Sequence, residues 1–293
     1  MEKKLISVIV TTCNRNQEIL KRALDSVVAQ TYQPIELIVI IDQPSMAEEI
    51  EAFLSRCYGT MVIVHANEEQ MGACYSRNIG IKLAKGEYIA FLDDDDEWLP
   101  EKLEKQSKKM LPGVSLVYSD YEVKADHINV KHATDREFPS GNVLKSLLAS
   151  NFIGGSSIPL LRAETLKACG GFDITFPSCQ DYDVWVRMAM RGKVECVKEI
   201  LSYYYVSSDS ITNVFERRVQ GWERMMVKYK DCYAEYPESM AGFLSIMIEE
   251  GMKRGYASFA GRQLRRSFAV FPRNFRCMWA VIRGLTERML GVF

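Results

Sequence analysis

Histidine is scarce in this sequence: only His65, His127 and His132 occur, and none stands at ligand spacing from a cysteine pair. That scarcity argues against a zinc centre. It also disfavours a hydrolase triad, because no GxSxG string is present either. The eight cysteines (13, 57, 74, 169, 179, 196, 232 and 277) form no CxxC pair. Several sit in apolar or helix-like contexts, so they read as reduced thiols of a cytoplasmic protein. Glycine-rich phosphate loops are missing: neither GxGxxG nor GxxxxGK[ST] occurs, which removes the dinucleotide and P-loop fingerprints. The opening MEKKLISVIVTTCNR has too short an apolar core for a signal peptide and lacks a small-residue cleavage site. Long hydrophobic runs are absent as well. The longest uncharged stretch, Ser146 to Leu161, contains Asn, two Gly and Pro and will not span a bilayer as a helix. The expectation is a soluble or peripheral protein.

Net charge is almost absent at −1, yet its distribution is uneven. From Lys253 onward nine Lys/Arg face one acid, Glu287, which leaves 28 basic against 37 acidic residues over 1–252. A basic tail on an acidic body points to an anionic surface as partner, either membrane or nucleic acid. The chain of 293 residues, 47% hydrophobic, is long enough for one large domain or a domain with an appendage.

What is present begins with strands. Leu5–Val10, Glu36–Ile41, Met61–His65 and Tyr88–Leu92 are short and apolar, and helical spacing runs through Glu18–Gln30, Met46–Cys57 and Ala73–Ala84 between them. This alternation predicts a parallel α/β sheet over roughly the first hundred residues. Beyond Trp98 the pattern predicts a helix over Leu99–Met110, strand structure over Val114–Val123 and a polar loop over Asp126–Pro139. Helices at Leu144–Ala149, Arg162–Ala168 and Asp181–Arg191 follow, then a strand at Val194–Tyr205. From Phe215 the sequence reads as helix, with breaks at Pro237 and Pro272.

Four consecutive aspartates, Asp93 to Asp96, close the strand Tyr88–Leu92. Carboxylates this close repel one another, so a positive group normally completes such a site. Ligands of open α/β sheets bind beyond the carboxyl ends of the strands, where Thr11–Arg15, Asp42–Ser45 and Asp93–Asp96 should meet. Two carboxylates two residues apart can chelate Mg²⁺ or Mn²⁺, which in turn neutralises a diphosphate. An acidic turn exposed to solvent is the alternative. No EF-hand fits, because the loop runs into Trp98-Leu99-Pro100.

Two further segments carry candidate groups. Arg77 and Asn78 lie on a helix heading for the aspartates, where Arg77 is either a countercharge for phosphate or carboxylate, or an ordinary surface arginine. In QDYDVWVRMAMRGK, Asp181 at a helix start is either a general base or an N-cap, and Asp183 is spaced to pair with Arg187. The tail interleaves Arg262, Arg265, Arg266, Arg273, Arg276 and Arg283 with Phe268, Phe271, Phe275, Trp279 and Ile282. It reads either as an interfacial helix pair on anionic lipid or as a bundle packing its apolar face on the body. Nucleic acid fits less well, since no binding fold accompanies the charge.

These residues resemble the family 2 glycosyltransferases, whose catalytic domain has the GT-A fold. SVIVTTCNR is similar to the family's opening strand and turn, with Cys13 where Tyr is usual. ELIVIIDQPS is similar to its second strand. GACYSRNIGIKLAKGEYIAFLDDDDEW covers the Arg-Asn-x-Gly helix and the DxD strand, and GGFDITFPSCQDYDVWVRM resembles the acceptor-side segment ending in the catalytic-base helix. The matches run from Ser7 to Arg191 in the expected order. Three positions depart from the pattern: Gln43-Pro44 follow Asp42, Gln180 precedes Asp181 where Glu is common, and YYYVSSDSIT lacks the family's Arg and His.

The resemblance implies a metal-assisted, inverting transferase using a nucleotide-diphosphate sugar, most simply a UDP-sugar. Thr12, Arg15, Asp42, Arg77, Asp93 and Asp94 would bind the donor, Asp93 and Asp95 the Mn²⁺ or Mg²⁺, and Asp181 would be the base. The acceptor would be a saccharide or lipid-linked saccharide in surface-polysaccharide assembly, with the protein cytoplasmic or peripheral on the inner face of the membrane. The implied organisation is a mixed, mostly parallel α/β GT-A domain over residues 1–212 and a basic helical extension over 213–293. Within the domain, residues 1–98 would be the donor half and 99–212 the acceptor half. A catalytically silent GT-A-like scaffold in a membrane assembly is the rival expectation.

Overall fold

Seven residues with little polarity, Ile6–Thr12, form strand β1, flanked by the equally aliphatic β2 (Ile35–Ile41) and β4 (Tyr88–Asp93). Strands covered on both faces read as continuous apolar runs, and these three are buried along nearly their whole length. The computed structural model describes residues 3–125, 128–130, 137–206 and 214–290. β1 pairs in parallel with both β2 and β4, and β3 (Val62–Ala66) adds to the outer edge of β2. Helices α1 (Gln17–Val28), α2 (Ala47–Tyr58) and α3 (Ala73–Leu83) make the crossovers. Asn16 caps α1 by accepting the Glu18 N–H at 2.8 Å, and Leu20, Ala23, Leu24 and Val27 form its buried stripe. Parallel pairing brings the carboxyl ends of β1, β2 and β4 to one edge.

The other half of the sheet is mixed. Strand order is β3-β2-β1-β4-β8-β6-β9-β5. The three-residue β8 (Leu160–Arg162) runs antiparallel between β4 and β6 (Val114–Ala125), and β9 (Lys193–Tyr205) runs parallel to β6. A two-residue β5 (Glu97–Trp98) pairs on β9, and β7 (Ile128–Val130) pairs with the end of β6. The sequence pattern gave no hint of β5 or β8, because two or three residues are too few to show a period. Helix α4 (Lys102–Lys109) starts three residues later than the spacing predicts. Leu99 N donates to Leu201 O at 2.9 Å and Pro100 O accepts from Thr31 N at 2.9 Å, so tertiary partners hold this stretch outside the helix, in a turn closed by Lys102 N donating to Leu99 O at 3.1 Å. Helices α6 (Ala163–Ala168) and α7 (Gln180–Ala189) complete this part. Most of the loop expected over Asp126–Pro139, and Ser207 to Thr212, lie outside the described residues.

The chain divides into two compact units, Met1–Asn142 with Ile153–Asn213, and Val143–Phe152 with Val214–Phe293. Helix α5 (Leu144–Ala149) therefore belongs with the C-terminal helices rather than with the sheet that the sequence order suggests. Those helices are α8 (Phe215–Lys228), α9 (Lys230–Glu235), α10 (Pro237–Lys253), α11 (Ala257–Val270) and α12 (Arg276–Met289). Tyr233 Oη donates to Leu148 O at 3.0 Å and Ser239 Oγ to Lys145 O at 2.8 Å, which ties α5 into this unit. Pro237 opens α10, where its missing N–H costs nothing. Two breaks were not signalled by proline: one at Tyr229, and one at Gly255, whose φ of +85° favours glycine. Among the described residues no helix is long and apolar enough to cross a membrane.

Gly86 sits where the chain enters β4, its N–H donating to Ser7 Oγ at 2.8 Å and Glu36 Oε1 at 3.1 Å. A Cβ there would lie 2.6 Å from Ser7 N and 2.8 Å from Leu5 O, both backbone atoms that cannot step aside. Gly86→Ala is expected to destabilise the fold by about 1–3 kcal/mol. Chemical denaturation checks this; an unchanged midpoint would contradict the close approach.

Candidate active site

Asp93 is the last residue of β4, and the turn after it closes with Asp96 N donating to Asp93 O at 3.1 Å. The like charges of Asp93 to Asp96 are met one by one. Arg77 Nη2 reaches Asp93 Oδ1 at 2.6 Å, and Ser156 Oγ lies 3.0 Å from both Asp93 oxygens. Arg15 forks, with Nε on Asp94 Oδ1 and Nη2 on Asp95 Oδ2, each at 2.9 Å. Buried Asp96 accepts from Ser157 Oγ and from Tyr205 N, the latter at 3.0 Å. Arg22 donates to the Asp95 carbonyl and stacks 3.7 Å from the Tyr205 ring centre.

The counterions leave a net desolvation strain. Burial pushes the Asp94 carboxyl up to about 6, against the pull of Arg15 and the Thr12 hydroxyl. Burial also raises Asp95, again opposed by Arg15, and raises Asp96 well above the usual carboxylate range with Asp93 adding to it. Tyr204, near the end of β9, faces the same cluster: burial lifts its phenol, and the charges of Asp96, Asp93, Asp181 and Asp95 lift it further.

At the neighbouring strand end, Asp42 is buried and organises the approach to α3. Its Oδ1 accepts from Asn67 Nδ2 (2.8 Å), Ser76 Oγ (2.8 Å) and Met71 N (3.1 Å), and its Oδ2 accepts from Gly72 N (2.8 Å). Thr12 is buried at the end of β1, and Cys13 meets Gln70 across a 3.2 Å contact.

Asp181 stands in the first turn of α7, as the second residue of the helix rather than at the cap position held by Cys179. One oxygen accepts the Tyr182 N–H at 2.7 Å. Burial lifts its carboxyl to about 6; the Tyr182 N–H and Arg77 pull down, and Asp93 pushes up. The side chain therefore shares the electrostatic environment of the Arg77–Asp93 pair. Asp183 is different: it is fully buried, with Arg187 Nε on its Oδ2 at 2.9 Å, and Arg187 Nη1 ties back to Cys169 O at 2.6 Å. Gln180 Nε2 turns to Phe176 O at 3.1 Å.

Asn78 joins the two halves of the site. Its Nδ2 donates to Phe172 O and its Oδ1 accepts from Phe172 N, both at 2.8 Å. Gly171, at φ +70°, permits this clamp, because a Cβ would lie 2.4 Å from Asn78 Oδ1. The Arg77 guanidinium lies 5.3 Å from the Phe172 ring centre. On the outer side of the clamp is a hollow of about 750 Å³, lined in part by Tyr75, Ile79, Lys82, Phe172, Asp173 and Ile174.

The structure thus brings Arg15, Arg77, Asp93, Asp94 and Asp95 into direct ion pairs, with Asp181 electrostatically coupled to Arg77 and Asp93. Thr12 lies beside Asp94, whereas Asp42 is turned into its own network of donors. Sequence reasoning missed Arg22 and Tyr204 as members of the cluster, and it did not join Ser156 and Ser157 to the aspartates. The run of small residues Gly154-Gly155-Ser156-Ser157 was the available signal, since small side chains mark close approach to a strand end.

Among the described residues, no group of three or more His, Cys, Asp or Glu side chains converges in a metal-holding arrangement. The residues nevertheless suit a hard divalent cation. Asp93 and Asp95 would offer two oxygen donors, and Mg²⁺-type ions commonly take one or two carboxylates and complete their shell with phosphate and water.

The family model for glycosyl transferase family 2 matches residues 7–164, just over half of the chain. Among curated relatives, the putative colanic acid biosynthesis glycosyl transferase WcaA of Escherichia coli K12 is 29% identical over 78% of this chain and 82% of that protein. The E. coli UDP-Glc:alpha-D-GlcNAc-diphosphoundecaprenol beta-1,3-glucosyltransferase WfaP is 28% identical over 74% of this chain and 84% of its own length. An uncharacterized glycosyltransferase of Haemophilus influenzae is 29% identical, and the chain spans 62% of its length. Solved structures give the same fold. S. aureus TarS 1–349 in complex with UDP-GlcNAc superposes with a TM-score of 0.69 at 16% identity, covering 97% of this chain and 89% of that one. The Pyrobaculum calidifontis mannosyltransferase PcManGT, in complex with GDP-Man and Mn²⁺, gives 0.59 at 16% identity, covering 100% and 89%. The chain has the GT-A fold and belongs to glycosyl transferase family 2.

Proposed function

We propose that the protein is an inverting, metal-assisted glycosyltransferase whose donor is a nucleotide-diphosphate sugar, a UDP-sugar in the first instance. The observation that carries this reading is the grouping of Asp181 with the Arg77–Asp93 pair beside the acidic strand end. Thr12 and Asp42 mark the side for base and ribose, and Asp93 and Asp94 face the ribose and sugar. Arg15 and Arg77, which pair with Asp94 and Asp93, are the cations that would meet the diphosphate. A Mn²⁺ or Mg²⁺ ion on Asp93 and Asp95 would supply the charge that offsets the departing diphosphate.

Asp181 takes the proton from the acceptor hydroxyl as that oxygen attacks the anomeric carbon from the face opposite the diphosphate. The bond from the anomeric carbon to the diphosphate oxygen breaks, and its electron pair leaves on that oxygen. No protein acid is then needed for the leaving group. WfaP acts, by its name, on a diphosphoundecaprenol-linked sugar. With the basic tail, this favours a saccharide or lipid-linked saccharide acceptor at the cytoplasmic face of a membrane.

Asp181→Asn is expected to lower kcat by about 10²–10⁴-fold while donor binding stays intact. Transfer by this variant at the wild-type rate would remove Asp181 from the mechanism. Wild-type kcat/KM for the acceptor should rise with pH through an acid limb near 6, the value to which burial lifts this carboxyl. A flat profile between pH 5 and pH 8 would count against it.

The same carboxyl sets a stability signature. Its value rises from 3.8 to about 6 in the fold, so its stabilising contribution is complete below about pH 4 and lost as pH climbs through about 6. At pH 8, wild type therefore carries a cost that Asp181→Asn lacks. The variant should be more stable there by about 1–2 kcal/mol, with the gap closing toward pH 4. Asp183→Asn should do the reverse and cost about 3 kcal/mol at neutral pH, because it leaves Arg187 without its buried partner. Melting curves of both variants at the two pH values check the pair; equal shifts for the two would contradict the separation of roles.

A further inference from the structure

Helix α12 is turned the unusual way round for a packed helix. Its buried residues are small, Cys277, Ala280 and Gly284, and they meet α10. A Cβ on Gly284 would lie 2.5 Å from Glu249 O, so the two helices touch almost backbone to backbone. Its large apolar residues point the other way: Phe275, Met278, Trp279, Ile282, Leu285 and Met289 recur at helical spacing and are all exposed, Trp279 at 68% and Met289 at 87%. Exposed apolar residues scattered singly need no explanation, but a continuous stripe along about 21 Å of helix does.

The charge around the stripe identifies what covers it. Arg276 and Arg283, seven residues apart, run along one edge, and exposed Arg262, Arg265, Arg266 and Arg273 precede them. Glu287 is the single acid after Lys253, and it is already paired with Lys253 at 3.1 Å; Arg283 meets Glu249 of α10 at 3.5 Å, which leaves Arg276 as the unpaired member of that edge among the described residues. The turn between α11 and α12 borders a hollow of about 490 Å³ lined by Lys145, Ser239, Phe271, Arg273, Asn274 and Arg276, among others. Lys145 is neutralised there by Glu238, whereas no carboxylate among the described residues pairs with Arg273 or Arg276. The hollow therefore offers two unpaired guanidinium groups at the root of the apolar stripe.

We infer that the outer face of α12, with the α11–α12 turn, docks on an anionic phospholipid bilayer. The stripe enters the boundary between headgroups and acyl chains, with Trp279 at that depth, and Arg276 extends to lipid phosphate along its edge. Arg273 and Arg276 take a headgroup phosphate in the hollow. A second copy of the chain is a poorer occupant, because a two-fold contact through this face sets one arginine-rich edge against another. The inference deepens the proposed function by naming the surface that brings the site to a membrane-borne acceptor, and it rests on that reading only for its purpose.

The test uses the full chain with vesicles of phosphatidylcholine alone and of two parts phosphatidylcholine to one part phosphatidylglycerol. Trp98, Trp185 and Trp222 are buried, so emission quenched by acrylamide comes chiefly from Trp279. Anionic vesicles should shift that emission to shorter wavelength and shield it from acrylamide, and neutral vesicles should do so weakly. Sedimentation should show the Phe275→Ser/Trp279→Ser/Ile282→Ser variant partitioning at least tenfold less, with an unchanged melting temperature because all three side chains are exposed. Arg273→Gln/Arg276→Gln should retain weak binding with a shallower dependence on salt. Transfer to a water-soluble saccharide acceptor should stay at the wild-type rate in both variants, which keeps this outcome separate from that of the catalytic reading. Equal partition of the triple variant and wild type would overturn the inference. So would no wild-type binding, no preference for anionic vesicles, or a wild-type dimer that the triple variant dissolves.

Discussion

Four carboxylates in sequence at the end of a buried strand are the constraint around which the catalytic unit is arranged. Leaving them in bulk water would cost little, but β4 delivers them to a partly covered edge where mutual repulsion and desolvation both act. Each neighbouring element contributes a remedy. The turn after β1 supplies Arg15, α1 supplies Arg22, α3 supplies Arg77, the run of small residues supplies Ser156 and Ser157, and β9 supplies the N–H of Tyr205. The remedies are incomplete, since Asp94 and Asp96 stay raised. A site poised in this way gains from a cation, and it contains two arginines that can exchange carboxylate for phosphate.

Helix α3 is the element through which that balance reaches Asp181, the proposed base. Successive residues do two jobs: Arg77 grips Asp93, and Asn78 clamps the Phe172 backbone that leads toward α7. The start of α3 is itself set by Asp42, through Gly72 N and Ser76 Oγ. Displacing the α3 axis would therefore disturb the strand-end charges and the approach to Asp181 together. Within α7 the labour divides over two residues: Asp181 stays half-covered at the mouth, whereas Asp183 is neutralised inside by Arg187. The proposed role of Asp181 needs a proton acceptor's freedom; Asp183 needs only its partner.

Much of this was legible in the sequence because it rests on local rules. The aliphatic runs of β1, β2 and β4 announce strands covered on both faces, and parallel pairing then places Thr12, Asp42 and Asp93 on one edge without further information. The pairing of Asp183 with Arg187 follows from helical spacing alone. What stayed hidden depends on long-range contact. β8 is three residues long and exists because β4 and β6 hold it on either side. Ser156 and Ser157 carry no charge to mark them, and Tyr204 reads as one aromatic in a strand of several. The α5 segment lies between catalytic-unit stretches in the sequence but packs with the C-terminal helices, through Tyr233 and Ser239. For the tail, composition posed two alternatives, and the arrangement has a feature of each: Cys277, Ala280 and Gly284 of α12 pack inside the helical unit, while its large apolar residues lie on the exposed side.

The central claim is that the acidic strand end is completed by a nucleotide diphosphate together with a divalent cation. Calorimetric titration with a panel of nucleoside diphosphates, in Mn²⁺ and then with EDTA, tests it most directly. The expected result is saturable binding of one nucleotide class that is lost when the metal is chelated, because the diphosphate then meets the carboxylates with no cation between them. Binding of no nucleotide by the folded, metal-supplied protein would contradict the claim and favour a silent GT-A-like scaffold. Equal binding with and without EDTA would remove the metal from the site.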